Sequence, residues 1–218
     1  MVQRQTDRWF QYISIATVCI AAGLIRLSII DWDQGGSLHP DERHLLFNVR
    51  EALSVLGSAM DSSPHWLTLW FATGESPLDP RAGEKFFVYG ELPYLGITML
   101  AYWLGLSNWL DVQMLARSVT ALLDTGTVLA VYLVAPATTR DRLAALLAAA
   151  LYAASPLALQ HSSFFTVDAW LTGLGAWGLL ACIALQRSCG KKSFTFAAIA
   201  GVLAGLSIAC KLPGLALL

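Results

Sequence analysis

Residues 117–160 read RSVTALLDTGTVLAVYLVAPATTRDRLAALLAAALYAASPLALQ. Two apolar runs, 117–136 and 143–160, flank a turn at 137–142 that carries Arg140 and Arg142. A bilayer is crossed by about 20 mostly apolar residues. Each run is therefore read as a span, and the turn as a tight loop at one face. Working outward, runs at 10–30, 167–186 and 195–217 repeat the pattern. The fold class that follows is all-α, a polytopic transmembrane helical protein. Composition agrees, because 56% of the 218 residues are hydrophobic and only 13% are charged, against about 25% in soluble domains. The mean hydropathy is +0.57. These figures exclude a disordered chain, a nucleic-acid partner and an ordinary soluble enzyme, and they make the lipid bilayer a partner.

Basic residues beside span ends give the orientation. Arg4 and Arg8 precede the first run, and Arg187, Lys191 and Lys192 mark 187–193. The N-terminus and the turns 137–142 and 187–193 are read as cytoplasmic. Phe10–Ile30 exceeds the apolar core of a signal peptide, about 7–15 residues, so the run is read as an uncleaved anchor. Residues 31–116 then lie outside as one long loop. They hold eleven of the fifteen acids but only four bases, Arg43, Arg50, Arg81 and Lys85. Parity constrains the run Leu92–Leu106, which includes Pro93, Gly96 and Gly105. It cannot cross if 117–136 does, and it is expected on the outer surface or as a re-entrant dip. Leu45, Leu46, Val49, Leu53 and Leu56 form an amphipathic stripe, with Asp41 and Glu42 in the first helical turn, where the dipole favours anions. Residues 61–91 are turn-rich, with Pro64, Pro77, Pro80, Gly83 and Gly90. Trp66, Trp70, Trp103 and Trp109 suit a membrane interface. The four cysteines sit in or beside apolar runs, so they form neither a disulfide framework nor a zinc spacing. The chain stops inside the apolar stretch GLALL. It is expected to be the N-terminal part, 1–218, of a longer membrane domain.

Three places could carry chemistry. His39-Pro40-Asp41-Glu42-Arg43-His44 puts two carboxylates beside two imidazoles, a set suited to acid–base work or a metal. The same spacing also suits a plain helix start. Asp168 opens a span after Gln160-His161-Ser162-Ser163 and could cap it with Thr166. Lys211 lies in an apolar run, where a cation is costly and is usually paired or functional; snorkelling to the interface is the alternative. Asp124, inside a span, could bond locally through Thr125 and Thr127 and is given no role. The orientation, derived without them, brings Asp41, Glu42, His161, Asp168 and Lys211 to the outer face. Acids beside a cation at a lipid–water boundary suit a reaction on a lipid phosphate. The cation can hold the phosphate, and a carboxylate can deprotonate an incoming hydroxyl or amine.

The order of motifs resembles the bacterial phospholipid-carrier-dependent glycosyltransferases of the GT-C superfamily, relatives of protein O-mannosyltransferases and aminoarabinose transferases. The resemblance rests on Asp33-Gln34-Gly35 with His39 to Arg43, and on Ser76-Pro77-Leu78-Asp79-Pro80 with Phe86 to Pro93. It continues through Ala116-Arg117, Ser155-Pro156 before Asp168, and Gly201 to Leu206 before Lys211. It implies a polyprenyl-phosphate-sugar donor, an acceptor that is protein, lipid or glycan, and transfer outside the bacterial inner membrane with inversion at the anomeric carbon. It makes Asp41 the catalytic base, with Glu42 supporting it or binding acceptor. Asp168, Lys211, Tyr89, His161 and His39 become donor- or acceptor-binding residues. Two departures are His161 with two serines where relatives often carry Arg, and Glu91-Leu92-Pro93 where many carry Lys-Pro-Pro. A divalent cation held by Asp41, Glu42 and Asp168 is conceivable, but hard cations usually take six or more oxygens, and no metal is assigned. A transporter or flippase is the rival class. It should show paired repeats and broken midplane helices, whereas the charged residues here lie at the outer end and no repeat is found. An inactive relative and an assembly subunit are further alternatives.

Overall fold

The computed structural model describes residues 2–62, 76, 78–81, 86–139 and 141–217, with side chains from Trp9 onward except at 59–62, 137–139 and 217. The interface anchors expected at Trp66 and Trp70, the turn residues Pro64, Pro77 and Gly83, and Arg140 lie outside the described residues. So do the side chains of Arg4 and Arg8.

The described residues form α-helices and one 3-10 turn, with no strand. In chain order the helices are α1 (Val2–Ser28), α2 (Pro40–Ser62), α3 (Leu92–Trp103), α4 (Trp109–Thr139), α5 (Arg142–Ala153), α6 (Pro156–Ser162), α7 (Val167–Gln186) and α8 (Lys191–Cys210). A 3-10 turn, Leu212–Leu217, follows. Among the described residues, four single helices are long and apolar enough to cross a membrane, Trp9–Ser28, Trp109–Pro136, Val167–Gln186 and Lys191–Cys210, and the bent pair Arg142–Ala153 with Pro156–Ser162 makes a fifth when taken as one broken span.

Three expected spans differ from the structure. The run 143–160 is two helices, α5 and α6, bent by 56°. Pro156 lacks the N–H that would continue the ladder and forces its predecessor out of the helical region, and Ser155 is extended, at φ −62° and ψ 122°. α4 starts at Trp109 rather than 117, so Arg117 lies two turns inside it. The last span ends at Cys210 rather than 217. Lys211 is extended, at φ −166° and ψ 145°, and the chain then folds back in the 3-10 turn. α3 has 12 residues, about 18 Å at 1.5 Å per residue. That length is too short to span the bilayer, as parity requires.

Two packing regimes hold the chain together. In the loop, the stripe read from the sequence turns inward. Leu45, Leu46, Val49, Ala52 and Leu56 are buried against Tyr94, Ile97 and Ala101 of α3 and Val112 and Ala116 of α4. Each large apolar side chain buried there contributes about 1.5–3 kcal/mol. The spans have no such drive in lipid and pack through small residues. Ala22 of α1 and Ala149 of α5 are buried with Val128 of α4. A side chain at Gly173 of α7 would begin 3.1 Å from Thr127 Oγ1, so the glycine spares that helix pair a tight contact.

Trp109 is half-buried and has protein partners. Its Nε1 donates to Ser37 Oγ at 3.1 Å, and its ring packs on Phe47 with the Arg50 guanidinium over it. Trp103 is 77% exposed.

Candidate active site

The loop end of the bundle is organised by one arginine. Arg117 of α4 is fully buried and reaches two carboxylates. Its Nε and Nη2 donate to Glu42 Oε1 and Oε2 at 2.7 and 2.6 Å. Nη1 and Nη2 donate to Asp33 Oδ1 and Oδ2 at 2.7 and 2.9 Å. Nη1 also donates to the Ile30 carbonyl at 2.6 Å. The planar fork suits such paired carboxylate contacts. Glu42 Oε1 further accepts the Phe165 N–H at 2.9 Å. The end of α1, the start of α2, α4 and the segment before α7 thus meet at one guanidinium. Its hydrogen bonds hold the Asp33 carboxyl at about 2, against the opposing effect of burial and with help from the Leu38 N–H.

Glu42 therefore faces a structural clamp. Asp41, one residue earlier and about 100° around the helix, does not. It accepts a hydrogen bond from the Tyr89 hydroxyl. Burial, that bond and the nearby charges of Asp41 and Asp168 push Tyr89 up to about 12. Tyr89 is thereby a neutral donor at physiological pH.

The Tyr89 segment is fastened to the end of α8. The Gly90 N–H donates to the Cys210 carbonyl at 2.8 Å, and a Cβ at Gly90 would fall inside contact distance of Ala209 O. Lys211 follows directly, and its Nζ donates to Asp168 Oδ1 at 2.8 Å. Both side chains of this pair are more than a third exposed, which leaves the pair open to a ligand. Lys211 is thus paired rather than snorkelling, and Asp168 pairs with it rather than capping α7.

His161 lines a cavity of about 220 Å³ beside Asp168. Its Nδ1 is buried without a partner among the described residues. His39 packs on Phe164, with ring centroids 4.7 Å apart, and His44 lies against Phe87 and Tyr89. The expected residues thus separate into groups. Asp41, Tyr89, Asp168 and Lys211 gather, with His161 alongside. Glu42 turns to Arg117, and His39 to Phe164. The trio Asp41, Glu42 and Asp168 does not form a metal-sized group, and no set of three or more potential ligands occurs among the described residues. Glu91, at the departure from Lys-Pro-Pro, pairs with Arg81.

Sequence reasoning missed a second buried pair. Arg26 of α1 donates through Nε to Asp124 Oδ2 at 2.6 Å, with both side chains almost fully buried. The Tyr152 hydroxyl donates to Asp124 Oδ1 at 2.5 Å. Thr125 and Thr127 bond instead to their own helix, at the Ala121 and Leu123 carbonyls. Opposite charges in two separate apolar runs were the signal, since membrane charges pair.

The fold and the site define an integral, multi-pass helical membrane protein with a paired acid and cation at one end of its bundle. The profile of the dolichyl-phosphate-mannose-protein mannosyltransferase family matches residues 57–218, about three quarters of the chain, and the chain belongs to that family of membrane glycosyltransferases. The matched stretch contains Tyr89, His161, Asp168 and Lys211 and begins after Asp41 and Glu42. No curated protein and no solved structure matches the chain.

Proposed function

We propose that the chain carries the catalytic end of an inverting sugar transferase. It would move mannose from a polyprenyl-phosphate donor to an acceptor hydroxyl, of protein by the family description, outside the bacterial inner membrane. The observation that carries this reading is the convergence of Asp41–Tyr89 with Asp168–Lys211 beside a polar cavity. Asp41 takes the proton of the acceptor hydroxyl as its oxygen attacks the anomeric carbon. The bond from that carbon to the phosphate oxygen breaks, and its electron pair leaves with polyprenyl phosphate. Inversion follows from the single displacement. Lys211 carries three donors and spends one on Asp168. The other two are available to the phosphate, whose charge grows in the transition state. Asp168 aims the ammonium, and Tyr89 aims the Asp41 carboxylate. Glu42 is a positioning residue that fixes the start of α2, and so Asp41, through Arg117.

The test is turnover of labelled mannosyl phosphopolyprenol by membranes carrying the full-length protein. Asp41→Asn is expected to lower transfer by about 10²–10⁴-fold with unchanged insertion. Transfer at the wild-type rate in that variant would remove Asp41 as the base.

A further inference from the structure

The cavity beside Asp168 reaches into the bundle between α4, α5, α6 and α7. Its polar lining is Asp124, Tyr152, Ser155, His161, Asp168 and Thr172. We infer that this cavity seats the sugar ring of the donor, and that Asp124, Tyr152 and His161 read its hydroxyls. The inference rests on the transferase reading for its ligand.

Size, chemistry and rigidity support it. About 220 Å³ corresponds to roughly seven waters at about 30 Å³ each, enough for one pyranose ring and not for two. Carboxylates only accept hydrogen bonds, so Asp124 and Asp168 match hydroxyl donors. A phosphate, itself an acceptor, would face two carboxylates there. A prenyl chain would leave the buried His161 Nδ1 without a partner, which is costly away from water. A simple alcohol would leave most of the lining unused. Leu157, Ala158 and Ala169 complete the wall and suit the C–H face of a ring.

The lining is also held in place. Arg26 bonds Asp124 and reaches the Ala22 and Ala153 carbonyls at 3.3 Å each. Tyr152 is fixed on the other carboxylate oxygen. A buried pair of this kind is weak evidence for stability, since apolar replacements are often neutral or better. Presenting Asp124 and Tyr152 to a ligand gives it a use. His161 Nδ1 lacks the partner that buried nitrogens almost always have, and a ring hydroxyl supplies one. The connectivity fits as well. The ring is joined to the phosphate at its anomeric carbon, and Lys211 bonds the Asp168 at the cavity wall.

The experiment measures binding and transfer separately on the full-length protein in lipid nanodiscs. The probes are mannosyl phosphopolyprenol, its C2 epimer glucosyl phosphopolyprenol and bare polyprenyl phosphate. Tyr152→Phe and His161→Ala are each expected to weaken mannosyl-donor binding by about 10- to 100-fold, the effect of one or more unmade hydrogen bonds. The ratio of mannosyl to glucosyl binding should shrink toward unity. Bare polyprenyl phosphate should bind as it does to wild type. Equal losses for the bare lipid would overturn the assignment and give the cavity to the phosphate or the chain. An unchanged epimer ratio, or a wild type that binds bare lipid as tightly as the sugar donor, would overturn it too. Sugar-selective binding without any transfer would sink the transferase reading while leaving the cavity assigned. Transfer that survives both substitutions intact would do the reverse.

Discussion

Asp41 and Glu42 are neighbours with different surroundings. Glu42 is fully buried and engaged by Arg117 and a backbone amide, whereas Asp41 is half-buried and engaged by Tyr89. The sequence alone presents them as a pair of equivalent acids. Only the position of Arg117, two turns inside α4, separates a positioning carboxylate from a reactive one. The clamp has a pH signature. Asp33 titrates at about 2 in the fold, below its ordinary 3.8. Its contribution to stability is therefore complete above 3.8 and is lost as pH falls through about 2. The thermal midpoint of the detergent-purified protein should fall across that window, and Asp33→Asn should flatten the fall while lowering the midpoint at neutral pH. The same slope in both proteins would show that Asp33 does not carry the linkage.

At the scale of elements, Gly90 joins the long loop to α8. Its amide donates to the Cys210 carbonyl, and no room remains for a side chain against Ala209. Gly90→Ala should push the Tyr89 segment off the end of α8, separating Tyr89–Asp41 from Asp168–Lys211. Transfer is expected to drop by about 10²-fold, the loss that roughly 1 Å of misplacement can cause. Membrane insertion and the thermal midpoint should change little, because the contact touches only the last residues of α8. Wild-type turnover in Gly90→Ala would mean that this docking does not hold the site. The break at Ser155–Pro156 acts at the same scale. It turns α6 away from α5 and brings His161 to the cavity that Tyr152 lines from the other side. The proline was visible in the sequence. The direction of the bend was not, because it depends on what α4 and α7 leave open.

For the whole molecule, the expectation is that residues 31–116 and the ends of α6 and α8 share the outer side. Cys189 lies exposed between α7 and α8, on the face read as cytoplasmic. With Cys19, Cys182 and Cys210 replaced by alanine, a membrane-impermeant thiol reagent should reach Cys189 only after permeabilisation. A cysteine placed at Phe86, which is 78% exposed, should react in intact cells once Cys189 is also replaced. Labelling of Cys189 in intact cells would invert the orientation.

The sequence by itself determined the helical membrane class, the acidic loop and the stripe of α2. Those properties depend on local period and on transfer from water, and both can be read along the chain. It also placed Asp41, Asp168 and Lys211 at one end, since parity needs only the spans and their flanking charges. The tertiary structure decided the pairings. Lys211 meets Asp168, Arg117 meets Glu42 and Asp33, and Arg26 meets Asp124. The partners in these ion pairs are separated by 43 to 98 residues. A buried charge must find a counter-charge, but which one it finds depends on how the helices pack.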